Sequence, residues 1–347
     1  MNLPRAQTGT RLSLAVFGKH PGWDDHIEGL GLDSALLIQA RQVLYVRGIG
    51  GNIESGAWDK LEQEGKSLPF HHVVAWLAPE NLVLGRVWAS RDGKGRGRYP
   101  MVALIESDGL SLERALEVVL PRLEALERKC AALTSAKEVR DLVENLRREL
   151  REVEERIQRS PETPRAAETP GERLTRLNDC PALKGTQGPG LRRILHKIWR
   201  EWAAYAPGRK ATDPESRRPN QLRVPRCAEG VEQAAALWGR AIGDQVDPAE
   251  TLMLLLPIRE PWLDVLVGAP GSAQIYCLKA NTNALPLTSD VPYTWNDEFS
   301  RRVEHVLNKA RQPGATEVSI FGAAQQHAGP LDALAQSARR WWRQFNN

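Results

Sequence analysis

Five prolines, Pro161, Pro164, Pro170, Pro181 and Pro189, fall among threonine, glutamate and glycine between Ser160 and Gly190. Each removes a backbone donor and fixes φ, so no single regular element is expected to cross the stretch, which has the composition of a linker. The chain of 347 residues leaves enough sequence on either side for a unit of ordinary domain size. With 41% hydrophobic and 26% charged residues, the whole has the balance of a folded protein and not of a disordered one.

Before the linker, the apolar run Leu12-Ser13-Leu14-Ala15-Val16-Phe17 reads as a strand stopped by Gly18 and Pro21. Leu36, Leu37, Ala40, Val43 and Leu44 recur at three- and four-residue spacing after Ser34, which predicts a capped helix ending at Gly48. Strands are expected at Val73–Leu77, Leu82–Ala89 and Met101–Ile105, the first two joined as a hairpin through Pro79-Glu80-Asn81. From Leu110 the pattern turns helical, and Val139, Val143, Leu146, Leu150, Val153 and Ile157 follow heptad spacing. That run is short for a coiled coil, so a helix laid against its own domain is the expectation.

Beyond the linker, the patterns predict a helix at Leu191–Tyr205, a strand at Gln221–Val224 and a helix at Glu229–Ile242. Strands follow at Leu252–Leu256, Trp262–Val267 and Gln274–Leu278, then a helix at Asn296–Ala310, a strand at Glu317–Phe321 and a helix at Leu331–Phe345. The resulting fold class is α/β in the α+β sense: two small antiparallel or mixed sheets with flanking helices, joined by a long helix and linker. The boundaries are an N-terminal α/β domain over 1–110, a charged helical segment over 111–158, the linker over 159–190 and a second α/β domain over 191–347. Because Leu12–Leu126 and Gln221–Ala310 both read β-α-β-β-β-α, a duplicated layout is a further expectation.

Composition narrows the function classes. Lysine and arginine number 47 against 43 acidic residues, a net +4 that is too balanced for a nucleic-acid binder. No apolar run has the length of a membrane span, and the first residues lack the core of an export signal, so a cytoplasmic location is expected. Cys130, Cys180, Cys227 and Cys277 form no CxxC pair, which points to reduced thiols rather than a zinc site or disulfide framework.

Polar residues concentrate in two places. Phe17-Gly18-Lys19-His20-Pro21-Gly22-Trp23-Asp24-Asp25-His26 follows the first strand, and Arg91-Asp92-Gly93-Lys94-Gly95-Arg96-Gly97-Arg98-Tyr99-Pro100 separates two others. His20, Asp24, Asp25 and His26 are of the types that bind zinc, manganese or iron, so a metal-dependent hydrolase is one reading; a turn shaped by Pro21 and Gly22 is the more ordinary one. The second segment lacks the GxxxxGK[ST] spacing of a phosphate loop. There is no GxSxG elbow, and neither catalysis nor a cofactor is expected. Trp341-Trp342, flanked by Arg339-Arg340 and Arg343, could place one tryptophan as a partner anchor.

The two polar segments carry a family resemblance. Gly18-Lys19-His20-Pro21 with Asp24-Asp25, and Asp92, Gly95-Arg96 and Tyr99-Pro100-Met101, resemble motifs of the TagF (ImpM) family of type VI secretion accessory proteins. The likeness covers about the first 110 residues. It departs where the family has a Gly-Asp-Phe-like ending and this chain has Asp24-Asp25-His26, and in the extra Lys94 and Arg98. The resemblance implies a non-enzymatic regulator or adaptor that binds cytoplasmic proteins, among them a forkhead-associated scaffold. The partner-binding residues would be Lys19, Pro21, Trp23, Asp24, Asp25, Asp92, Arg96, Arg98 and Tyr99, on one surface. The layout also resembles longin and roadblock modules, which dock small GTPases, an analogy at the level of fold.

Overall fold

The computed structural model describes residues 10–79, 81–159, 168–184, 190–209, 217–292 and 294–322. Its centre is a single antiparallel sheet of eight strands in the order β2-β1-β5-β4-β3-β7-β8-β6. The strands are β1 (Arg11–Lys19), β2 (His26–Leu30), β3 (His71–Leu77), β4 (Asn81–Trp88), β5 (Met101–Asp108), β6 (Asn220–Pro225), β7 (Leu252–Pro257) and β8 (Trp262–Val267). The α+β class with antiparallel strands is therefore as expected.

The two separate sheets are not. β3 pairs with β7 from Leu77↔Leu252 to His72↔Pro257, fusing them edge to edge. The reason is physical: β3 and β7 are apolar on both faces, and pairing them satisfies two rows of backbone groups that would otherwise lie at sheet edges.

Alternation decides the layers. In β1, Leu12, Leu14 and Val16 point to one face and Ala15 and Phe17 to the other, and all five are buried. On the second face lie α1 (Ala35–Ala40), a π-helical stretch (Arg41–Gly50), α2 (Gly51–Glu54), α3 (Ala57–Gln63) and α10 (Ser272–Ile275). The first face is covered by α4 (Leu112–Val118), α5 (Leu120–Ala132), α6 (Ala136–Arg159), α7 (Pro170–Asp179), α8 (Gly190–Glu201), α9 (Val231–Gly243) and α11 (Asp297–Ala310). Val139, Val143, Leu146, Leu150 and Val153 of α6 are buried in that layer, so its heptad-spaced face is spent on the protein's own core.

The faces also overturn the expected duplication. The crossover helices before β3 lie on one face, whereas α9, the crossover before β7, lies on the other. Two copies related by an axis through the β3–β7 seam would keep both on one side. In addition, Gln274–Leu278, expected as a third strand of the second half, is α10 followed by a 3₁₀ turn (Tyr276–Leu278). Gln274 Oε1 accepts from Gly271 N at 3.1 Å and so starts a helical turn despite the β-prone Ile-Tyr-Cys.

Other differences are local. The helix that Ser34 caps does not stop at Gly48 but continues to Glu54, because Gly48 supplies close packing: a Cβ there would lie 2.7 Å from Ile275. β2 lacks an alternating apolar signal, Ile27 being its one fully buried residue. The Pro-rich stretch contains α7, with Pro170 at its first turn and Thr169 and Glu172 capping each other, so those residues form a packed helix and not a connector. Glu317–Phe321 is not a strand. Ile320 N donates to Gln245 Oε1 (2.8 Å) and Gln245 Nε2 donates to Val318 O (3.4 Å), one side chain doing the work of a neighbouring strand. The expected helix Leu331–Phe345, with Trp341 and Trp342, lies outside the described residues.

Candidate functional site

The two polar segments meet at one end of the sheet. β1 ends at Lys19, and β4 and β5 are joined by the loop over residues 89–100, so antiparallel pairing of β1 with β5 brings Gly18 opposite Met101. Gly18 has φ +108°, and a Cβ there would strike Pro100 O. Only glycine fits, since an L side chain is excluded by backbone and by space together. Lys19 N then donates to Pro100 O at 3.2 Å.

Asp92 organises the second loop. Its Oδ1 accepts from the backbone N–H groups of Lys94 (3.0 Å) and Arg96 (2.9 Å). Oδ2 accepts from Lys19 Nζ (2.7 Å) and Arg96 Nε (2.7 Å). Asp92 and Lys19 are both buried. Burial by itself would raise the Asp92 carboxyl, but the donated hydrogen bonds from Lys19 and Arg96 outweigh it and hold the group well below the usual carboxylate range. Gly93 N donates to Trp23 O at 2.7 Å and Arg96 Nη2 to Asp24 O at 2.8 Å, which locks the loops together.

The first segment is anchored from beneath. His20 is buried, its Nδ1 accepting from Gly22 N (3.0 Å) and its Nε2 donating to Cys130 O (3.1 Å). Burial lowers its pKa against the opposing pull of the Cys130 carbonyl, so it is a neutral imidazole. Both ring nitrogens are engaged, and neither is free for a metal. Asp25 accepts from Lys19 Nζ (2.7 Å) and contacts His26 Nδ1 (2.9 Å), while Asp24 is exposed. Among the described residues no group of three or more His, Cys, Asp and Glu is arranged to hold a metal ion.

Of the nine residues expected on a partner surface, all lie in this one cluster, but they divide by depth. Lys19 and Asp92 are internal and shape the loops. Asp24, Asp25, Arg96 and Arg98 are exposed, and Pro21, Trp23 and Tyr99 are half-buried. Trp23 packs edge-on to His20 at 5.6 Å, with the Arg140 guanidinium 5.5 Å from its ring centre. Tyr99 sits 4.9 Å from the His26 ring and 5.7 Å from that of Tyr45. Arg98 reaches both carboxylate oxygens of Asp59, at 2.6 and 2.7 Å.

Sequence reasoning missed Tyr45 and Asp59, which come from the helices on the second face and carry no local signal. It also missed Arg223 and Asp264, opposite one another on β6 and β8 and both fully buried. Arg223 donates to Asp264 (2.9 and 2.8 Å) and to the carbonyls of Ala280 (2.8 Å), Leu285 (3.0 Å) and Cys277 (3.0 Å). The signal was a lone charge in each of two strands, Asp264 within an otherwise apolar run and Arg223 between Leu222 and Val224, meaningful once register pairs them. Compared with protein-family models and with curated proteins, the chain finds no match.

Proposed function

We propose that this protein is a non-enzymatic regulatory adaptor that binds other proteins through the face built from residues 20–26 and 91–99, in the role that its TagF-like motifs imply. The observation supporting this reading is the division of charge within the cluster. Lys19 and Asp92 neutralise one another inside, while Arg91, Lys94, Arg96 and Arg98 stand exposed beside Asp24 and Asp25 on loops already fixed by hydrogen bonds. A pre-shaped rim loses little freedom on binding, and its cations favour an acidic partner face, such as that of a forkhead-associated scaffold. The test is a pull-down and titration with a forkhead-associated scaffold protein. Reversing Arg91, Lys94 and Arg98 to glutamate should weaken binding at least about tenfold with the fold intact; full binding by that variant ends the reading.

A second reading uses another surface. Ile38 and Val46 are the exposed large hydrophobics among the described residues, at 54% and 40%, and they lie on α1 and the π-helical stretch that continues it. An apolar pair on an otherwise polar helix face suits a small GTPase docked on a longin-like layout. Ile38→Asp with Val46→Asp should then abolish GTPase capture and leave scaffold binding unchanged.

A further inference from the structure

Three helices of the first face, α7, α8 and α11, leave a cleft of about 580 Å³ between them. Asn178 lines it from the last turn of α7, Arg192 from the first turn of α8, and Glu304, Leu307 and Asn308 from α11, with Arg311 just past the end of that helix. The volume falls within the roughly 300–1,000 Å³ that small-ligand sites occupy. None of these residues belongs to the loops of residues 20–26 and 91–99, so the cleft is a separate feature of the molecule.

Its walls are held by packing and not by the polar side chains that line it. Leu174 and Leu177 of α7, Leu191 and Ile194 of α8, and Val303, Val306 and Ala310 of α11 are buried in one core. Thr175 Oγ1 donates to Ala310 O (3.3 Å) and Gly171 N to Ala315 O (3.0 Å), which fastens α7 along the end of α11. Arg193 Nη1 donates to Ser289 O at 2.7 Å and steadies the start of α8. The polar lining, by contrast, has loose partners. Arg192 Nη2 stands 3.5 Å from Glu304 Oε1 and Arg311 Nη1 stands 3.4 Å from Asn308 Oδ1, against the roughly 2.7–2.9 Å of a charge-assisted bond. Glu304 and Arg311 are exposed and Arg192 is half-buried, so these pairs add little to stability.

We propose that this cleft binds a small organic anion carrying two phosphate or carboxylate groups, one held by Arg192 and the other by Arg311. A guanidinium offers five N–H donors in a planar fork and no acceptor, so two of them in one cleft call for oxygen anions. One carboxylate, Glu304, is too few for a cation site. The carboxamides of Asn178 and Asn308 donate to the remaining ligand oxygens, and the buried Leu307 gives the cleft an apolar floor beneath the ligand's carbon atoms. Glu304 is the competitor: its carboxylate stands where an entering anion would meet Arg192, and its loose contact at 3.5 Å is readily exchanged for a tighter, two-pronged one.

The experiment titrates the purified full-length chain by calorimetry with pyrophosphate and, separately, with succinate, using sodium chloride of matched ionic strength as the control. The expected result is saturable binding of at least one probe; pyrophosphate alone marks a phosphorylated ligand and succinate alone a carboxylate one. Arg192→Gln and Arg311→Gln should each weaken that binding about tenfold or more, the factor that a lost charge-assisted bond carries, whereas Glu304→Gln should tighten it. In the unaltered chain, the saturating probe should also slow amide hydrogen exchange at residues 191–193 and 308–311, a measurement that needs no variant. Saturable binding of neither probe, unchanged binding by the double variant Arg192→Gln/Arg311→Gln, or unslowed exchange at both of those segments would each overturn the proposal.

Discussion

Lys19 Nζ lies 2.7 Å from Asp92 Oδ2, an ion pair between residues 73 positions apart with both side chains enclosed. It links the end of β1 to the loop between β4 and β5, and the hydrogen bonds from Lys94 and Arg96 radiate from the same carboxylate. Replacing Lys19 by methionine strands that carboxylate in a buried place. The amide hydrogens of Lys94 and Arg96 should then exchange roughly tenfold faster or more, the factor that one lost charge-assisted bond carries. Unchanged exchange rates would show that Asp92 shapes the loop without its lysine.

Gly18→Ala tests the backbone side of the same junction. The left-handed conformation alone costs on the order of 1–3 kcal/mol, and the clash with Pro100 O adds to it. Urea denaturation should show a clearly lower midpoint, and partner binding should weaken with it because the loops lose their common anchor.

Arg223 and Asp264 predict a different pattern. Asp264→Ala leaves a buried guanidinium uncompensated and should cost about 3–5 kcal/mol, whereas the paired replacement Arg223→Met/Asp264→Leu should recover most of that loss. If the double variant is no more stable than the single one, the carbonyl contacts at Cys277, Ala280 and Leu285 dominate instead.

Histidine burial sets the acid limb of stability. Burial, aided by neighbouring positive charge, lowers His72 from 6.5 to about 3, and His20 is lowered in the same direction. Both are neutral in the folded chain yet take up protons in the unfolded one below about pH 6.5, so the unfolded state gains as pH falls. Stability should decline from pH 6.5 downward, by about 1.4 kcal/mol per pH unit for one such histidine, and level off for His72 near pH 3. Asp92 acts in a lower window, its contribution being lost only as pH drops below the ordinary carboxylate value of 3.8. Denaturation midpoints at pH 7.5, 6 and 5 for the parent and His72→Gln measure this; equal slopes would assign the effect elsewhere.

The seam between β3 and β7 makes the two halves one body. A specific protease site inserted between Glu162 and Thr163 should, once cut, leave two fragments that co-elute in native chromatography and separate in denaturant. Early separation would mean that the seam does not hold the halves without a covalent link.

Local chemistry was legible from sequence. Ser34 was readable as a cap, and β8 runs from Trp262 to Val267 as its apolar run predicts, because caps and strand alternation depend on neighbours a few residues away. The placement of both polar segments next to strand ends was equally readable, as was the apolar face of α6. Tertiary structure alone decided that Leu77 lies opposite Leu252, that α9 takes the face opposite the earlier crossover, that Gln274–Leu278 coils and that Arg223 finds Asp264. Those outcomes follow from which apolar edges and faces remain uncovered once the chain collapses. The pairing energy that settles them is shared between residues far apart in sequence, so no local pattern records it.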